Sequence, residues 1–408
     1  MFAGANAKLA KSGPRKLLAL DGGGIRGLIT IEILEKIESI AREQSGKPSL
    51  VLADYFDYIA GTSTGAVIGT LLALGKPVDE IRRIYLDCGR MMFDKNTIMG
   101  RLEKLTKDVP HGASWLRALD IGVDYAKRLV DKEAYAKYPD KPLADKLQEL
   151  VGGDDTKLGT DKLKTLLLLV LSNVTTDSPW PLSNNPRAKY NKPEHPASNA
   201  RFPLWQVVRA STAAPTYFPP EEIKSGGATF VFVDGGVTSY NNPSFQLFLQ
   251  ATLEPYGVMW QVGEKNMLLV SVGTGLHPNA QQGLRSTDLH AAKAISTATE
   301  SLFNAAMYQQ DQLCRIFGRC LGGEVLDREI GDLIGTTKGP ADPSRLFTYV
   351  RYNATLTREG LDSLGLADID PKDVESLDSV EHMDELQKVG AAVAERKVKT
   401  EHFAGFGV

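Results

Sequence analysis

Three cysteines in 408 residues, Cys88, Cys314 and Cys320, make an odd set with no metal-ligand spacing. That argues against a disulfide framework and predicts a reducing, cytoplasmic setting. Positive charge is not in excess either. The net charge is -3 and no basic stripe occurs, which excludes the usual nucleic-acid binder. Long apolar runs are missing: the most apolar stretch, "LKTLLLLVLSNV" at 163–174, is broken well short of spanning length and predicts a buried strand. The opening "MFAGANAKLAKSGPRK" has no apolar h-region, so no secretory leader is expected. The six histidines are scattered without an i, i+4 pair, and "GGDDTKLGTD" lacks the ligand alternation of an EF-hand loop. No metal and no other cofactor is therefore expected. Internal repeats and low-complexity segments are absent.

What is present suits a globular chain with a sizeable core, 42% hydrophobic and 24% charged. Residues 16–20 predict a strand, 28–44 a helix with Ile33, Leu34, Ile37, Ile40 and Ala41 on one face, and "DYFDYIA" at 54–60 a second strand. "AVIGTLLALG" predicts a helix closed by Gly75, and Pro77 opens the next. The stretch 95–160 is charged and predicts mainly helix. Between 175 and 203 the chain is polar and proline-rich, too long for a simple connection and expected to form a rim or lid. "LWQVVRASTAAPTYFPP" predicts a helix up to Pro215, while "ATFVFVDGG" and "MLLVSVGTG" predict strands ending in glycines. Beyond 285 helix is expected, with one late strand at "RLFTYVRYN". Strands alternating with helices predict an α/β fold, a central and mostly parallel sheet flanked by helices, with a helical C-terminal extension. The domain boundaries expected are 15–284 and 285–408, the latter packed on the former.

Three short motifs carry the chemistry. "LLALDGGGIRGLIT" matches G-x-G-x-x-G at Gly22, Gly24 and Gly27, a turn able to hold an anion with backbone N–H groups. A dinucleotide site would place an acidic residue at a strand end about 20 positions on. There the chain has "AREQSGKPS", the end of a helix. "GTSTG" fits G-x-S-x-G at Gly61, Ser63 and Gly65, between a strand and an apolar helix, where a serine stands exposed as a nucleophile. A hydroxyl needs a base, and "TFVFVDGG" delivers Asp234 at a strand end beside Gly235 and Gly236. The glycine turn then serves as an oxyanion hole built from the N–H groups of Gly22, Gly23, Gly24, Ile25 and Arg26. An ordinary triad of Ser63, Asp234 and His277 has the right chain order, and a non-catalytic binding protein with Ser63 idle is the other alternative.

"DGGGIRG" at 21–27, "GTSTG" at 61–65 and "DGG" at 234–236 occur in the order seen in patatin-like phospholipases, which this chain resembles over residues 15–280. "RASTAAPTYFPP", "NNPS" and "LVSVGTG" look like that family's supporting segments. The resemblance implies the patatin fold, Ser63 as nucleophile, Asp234 as general base, and metal-free cleavage of acyl esters of phospholipids or other lipids. It also implies transient contact with membrane surfaces. Plant storage members carry a secretory leader, so the chain is expected to be a cytoplasmic relative.

Overall fold

The computed structural model describes residues 1–92, 136–192, 194–278, 291–335 and 344–407. Most of the charged stretch expected to be helical lies outside these residues. Among the described residues nine strands form one sheet: β1 (Arg15–Leu20), β2 (Tyr58–Thr62), β3 (Leu166–Asn173), β4 (Ser178–Ser183), β5 (Glu221–Ser225), β6 (Ala228–Asp234), β7 (Met267–Val272), β8 (Arg319–Gly322) and β9 (Thr348–Tyr352). The order is β5-β6-β3-β2-β1-β7-β9-β8, with β4 pairing β3 as well. Pairs among β1, β2, β3, β7, β8 and β9 are parallel; β4, β5 and β6 pair antiparallel.

The central strands are apolar on both faces because helices cover both. Side chains alternate across a strand, so Leu18, Leu20, Leu167, Leu169, Val270 and Val272 join one core cluster. Leu17, Ala19, Leu166, Leu168, Met267 and Leu269 join the other. The helices Gly27–Ser45, Thr64–Ala73 and Met383–Lys397 contribute to the first cluster, and Ala3–Ala10 and Ser244–Thr252 to the second.

Several elements depart from the expectations. The second strand starts at Tyr58 rather than residue 54, because Leu52–Tyr55 is a helical turn whose Asp54 carboxylate accepts from Val51 N–H. The expected rim at 175–203 contains β4 instead of loop alone. The helix begun at Leu204 stops at Ser211, short of Pro215. The late strand is β9, and β5 and β8 were not expected.

Candidate active site

The sheet itself brings the motifs together. On β3, Val170 pairs with Thr62 of β2, and the next residue, Leu171, pairs with Asp234 of β6. Because β4 runs along Leu168–Asn173 on the opposite edge, β2 and β6 must share the remaining edge of β3 and meet end to end. Ser63 follows β2 and Asp234 ends β6, so two residues 171 apart in sequence become neighbours. Ser63 Oγ donates to Asp234 Oδ2 at 2.6 Å.

Local constraints fit the motif residues to this junction. Ser63 has φ 54° and ψ -123°, a backbone state costing about 1–3 kcal/mol that tertiary contacts must hold. The helix Thr64–Ala73 leaves the turn so tightly that a Cβ on Gly65 would lie 2.3 Å from the Leu20 carbonyl oxygen, and one on Gly61 2.1 Å from the Gly65 carbonyl oxygen. Only glycine fits at either place. Gly235 likewise passes against β3, where a Cβ would meet the Val170 carbonyl oxygen at 2.2 Å. Ser211 closes the elbow from a third direction: its Oγ accepts the Ser63 N–H at 3.0 Å and donates to the Val170 carbonyl at 2.7 Å.

Asp234 is 4% exposed. Burial raises its pKa to about 6, against the opposing pull of the Ser63 hydroxyl, the Gly236 N–H donating to Oδ1 at 2.7 Å, and the Arg209 charge. Such a carboxylate is ionised near neutrality yet basic enough to take a proton.

The glycine turn lies against the elbow, since a Cβ on Gly22 would stand 3.0 Å from Ser63 Cβ. Its donors are not equivalent. Gly22 N–H donates to the Asn241 carbonyl at 3.2 Å, Ile25 N–H to Leu377 at 2.9 Å and Arg26 N–H to Gly23 at 3.2 Å. Among the described residues, nothing accepts from the N–H of Gly23 or Gly24. Arg26 is buried, which brings its pKa down to about 10, and its Nη1 donates to the Glu375 carbonyl at 3.1 Å. Gly27 starts the helix that follows, beneath Thr64 and Tyr85.

His277 is not brought to the junction's hydrogen bonds. Its Nδ1 pairs with the Leu356 carbonyl at 3.0 Å and its Nε2 with Glu375 Oε2 at 2.9 Å, while Ser63 reaches Asp234 directly. Among the described residues no three His, Cys, Asp or Glu side chains converge as a metal would require, and no helix is long and apolar enough to cross a membrane. Ser211 and Asn241 fall within the segments singled out in the sequence, but nothing local assigned them to Ser63 N–H and Gly22 N–H.

A mostly parallel, helix-covered sheet with a serine turn meeting an aspartate at the strand ends defines an α/β protein. The family model described as patatin-like phospholipase matches residues 18–248, and the chain belongs to that family. It is 29% identical over 230 residues to the cGAMP-activated phospholipase of Vibrio cholerae, covering 56% of each chain. Patatin-like protein 2 of Arabidopsis thaliana is 28% identical over 280 residues, 64% of this chain and 60% of that one. The calcium-independent phospholipase A2-gamma of Rattus norvegicus is 27% identical over 293 residues, 70% of this chain and 32% of that one. The matched regions thus span less than two thirds of these relatives' own lengths.

Proposed function

We propose that the chain is a lipid acyl hydrolase that cleaves fatty acyl esters through a Ser63–Asp234 dyad. The observation that carries this reading is the 2.6 Å hydrogen bond between a strained elbow serine and a buried carboxylate, with no imidazole between them. Family membership supports the substrate class, esters of phospholipids or related lipids. In this reading residues 15–284 supply the reacting groups and 285–408 pack on the same unit. The enzyme is cytoplasmic and touches membrane surfaces only during turnover.

Ser63 Oγ attacks the ester carbonyl carbon while its proton passes to Asp234 Oδ2. The carbonyl oxygen becomes an oxyanion, which the N–H groups of Gly23 and Gly24 receive from fixed positions. Collapse of this intermediate breaks the bond to the alcohol, which departs with the proton from Asp234 and leaves an acyl group on Ser63. Water then gives a proton to Asp234 and attacks the acyl-enzyme, and the second collapse returns that proton to Ser63.

The direct test is release of fatty acid from phospholipid vesicles and of alcohol from a short-chain p-nitrophenyl ester, with a fluorophosphonate adduct mapped to the peptide carrying Ser63. Turnover with no adduct on that peptide would refute the dyad. Because the oxyanion donors are backbone groups, excess EDTA is expected to leave the initial rate on the short-chain ester unchanged. A loss restored by calcium or zinc would show that a cation, rather than the glycine turn, stabilises the oxyanion.

The pH profile follows from Asp234. With its pKa raised to about 6, the carboxylate is the proton acceptor above that pH and is already protonated below it. The value of kcat/KM should therefore fall about tenfold per pH unit below about pH 6. An acid limb centred near pH 4 would mean that burial does not raise the pKa of the titrating carboxylate.

A further inference from the structure

Asp21, the residue before the three glycines, is 1% exposed, and its carboxylate is gripped by both terminal nitrogens of Arg351. Nη1 donates to Oδ1 at 3.1 Å and Nη2 to Oδ2 at 2.5 Å. Arg351 belongs to β9, two strands away from β1. The register shows how it reaches: Ala19 of β1, Ser271 of β7 and Arg351 lie in one row across the sheet, and Asp21 stands two residues beyond Ala19 on the same face. Ala19 and Ser271 are small, so the guanidinium passes over them, and Nη1 also donates to Ser271 Oγ at 2.6 Å. On its far side Arg351 Nε lies 3.8 Å from Asp311. That carboxylate is itself fixed by Arg315, at 2.9 and 2.7 Å, and by the Tyr349 hydroxyl at 2.9 Å.

We infer that Arg351 is a positioning residue for the proposed acyl-hydrolase reaction, aiming the N–H groups of Gly23 and Gly24 at the oxyanion by clamping Asp21. The inference rests on the glycine turn being the oxyanion hole. Asp21 N–H is bonded to the Val272 carbonyl at 3.1 Å and Gly22 N–H to Asn241, while the Thr274 hydroxyl donates to the Gly22 carbonyl at 2.8 Å. The chain entering the turn is thus held by its backbone on one side and by the Asp21 side chain on the other. Small errors in the placement of such donors cost rate rather than binding, because the oxyanion exists only at the reacting stage. Arg351, Asp311 and Arg315 all lie outside residues 18–248, so the stretch matched by the family model does not contain the clamp that aims its own glycines.

A lysine cannot reproduce two parallel bonds from one planar group. Arg351→Lys should lower kcat on a short-chain p-nitrophenyl ester by about 30- to 100-fold while KM moves less than about threefold. Hydrogen exchange should accelerate in the peptide spanning 17–30 and stay unchanged in the strand at 166–173. Should the single variant fail to fold, Asp21→Asn combined with Arg351→Gln removes both buried charges together, leaving none uncompensated. That pair should fold, lose kcat at least as much as the lysine variant, and show the same local exchange. Full kcat in a folded variant, or unchanged exchange at 17–30, would overturn the clamp. A wild-type protein without esterase activity would instead overturn the proposed function, and the exchange measurement would still decide whether Arg351 holds the turn.

Discussion

Replacing Ser63 by alanine is expected to abolish fluorophosphonate labelling and to lower ester hydrolysis by about 10⁴-fold or more, the scale on which nucleophile removal acts in serine hydrolases. The substitution keeps Cβ, so the strain at φ 54° is the same in both proteins and the fold should survive. The backbone anchor survives too, because Ser211 Oγ accepts from the Ser63 N–H, not from its side chain. What is lost is the attacking oxygen and the hydroxyl that donates to Asp234. Since that hydrogen bond holds the Asp234 pKa down, the carboxyl in the alanine variant should titrate higher than in the wild type. Equal labelling in both proteins would move the nucleophile elsewhere in the chain.

The parts of this site legible in the sequence are those that fall within one short motif, even where the contacts that require the motif are distant. At Gly61 a Cβ would meet the Gly65 carbonyl oxygen, a requirement that falls within five residues, whereas Gly65 is held to glycine by the Leu20 carbonyl of β1, far away in the chain. The glycine turn after β1 is legible as a motif, although the atoms that leave no room for a Cβ at Gly22, Gly23 and Gly24 belong to Asn241, Thr274 and Leu377. The junction itself is not local: Ser63 and Asp234 meet because β2 and β6 divide one edge of β3 between Val170 and Leu171. No spacing in the chain encodes that division. The glycine donors show the same limit. Five N–H groups looked equivalent in sequence, yet Asn241, Leu377 and Gly23 accept from three of them, and two of those acceptors come from distant segments.

The strands that pattern reading passed over are the outer ones. β4, "SPWPLS", carries Pro179 and Pro181, which cannot donate to a ladder and would be excluded from a central strand. It is tolerated because β4 pairs only with β3, leaving its other edge without a ladder among the described residues. β5, "EEIKS", has three charged residues in five, a pattern suited to a sheet edge and easily taken for loop. β8 has four residues, too few for any periodicity to register. Central strands are legible because both faces are buried, and edge strands are disguised by what keeps them from pairing further.

The remaining large effect separates a dyad from a triad. Asp234→Asn keeps the shape of the side chain but removes the acceptor of the Ser63 proton, so kcat should fall by about 10³-fold or more. His277→Ala should cost less than about threefold, because its ring nitrogens serve the Leu356 carbonyl and Glu375 rather than the reacting pair. Some loosening is expected through Glu375, whose carbonyl also accepts from Arg26 at the glycine turn, and this would show as a small change common to all substrates. The two variants are compared by steady-state kinetics on one ester, with circular dichroism to confirm that each is folded. The pH profile adds a second criterion: the limb near pH 6 should persist in His277→Ala, since its source is the burial of Asp234. If a folded His277→Ala protein lost activity as deeply as Asp234→Asn, the imidazole would have to move to the junction during turnover. Direct proton transfer from Ser63 to Asp234 would then be the wrong mechanism.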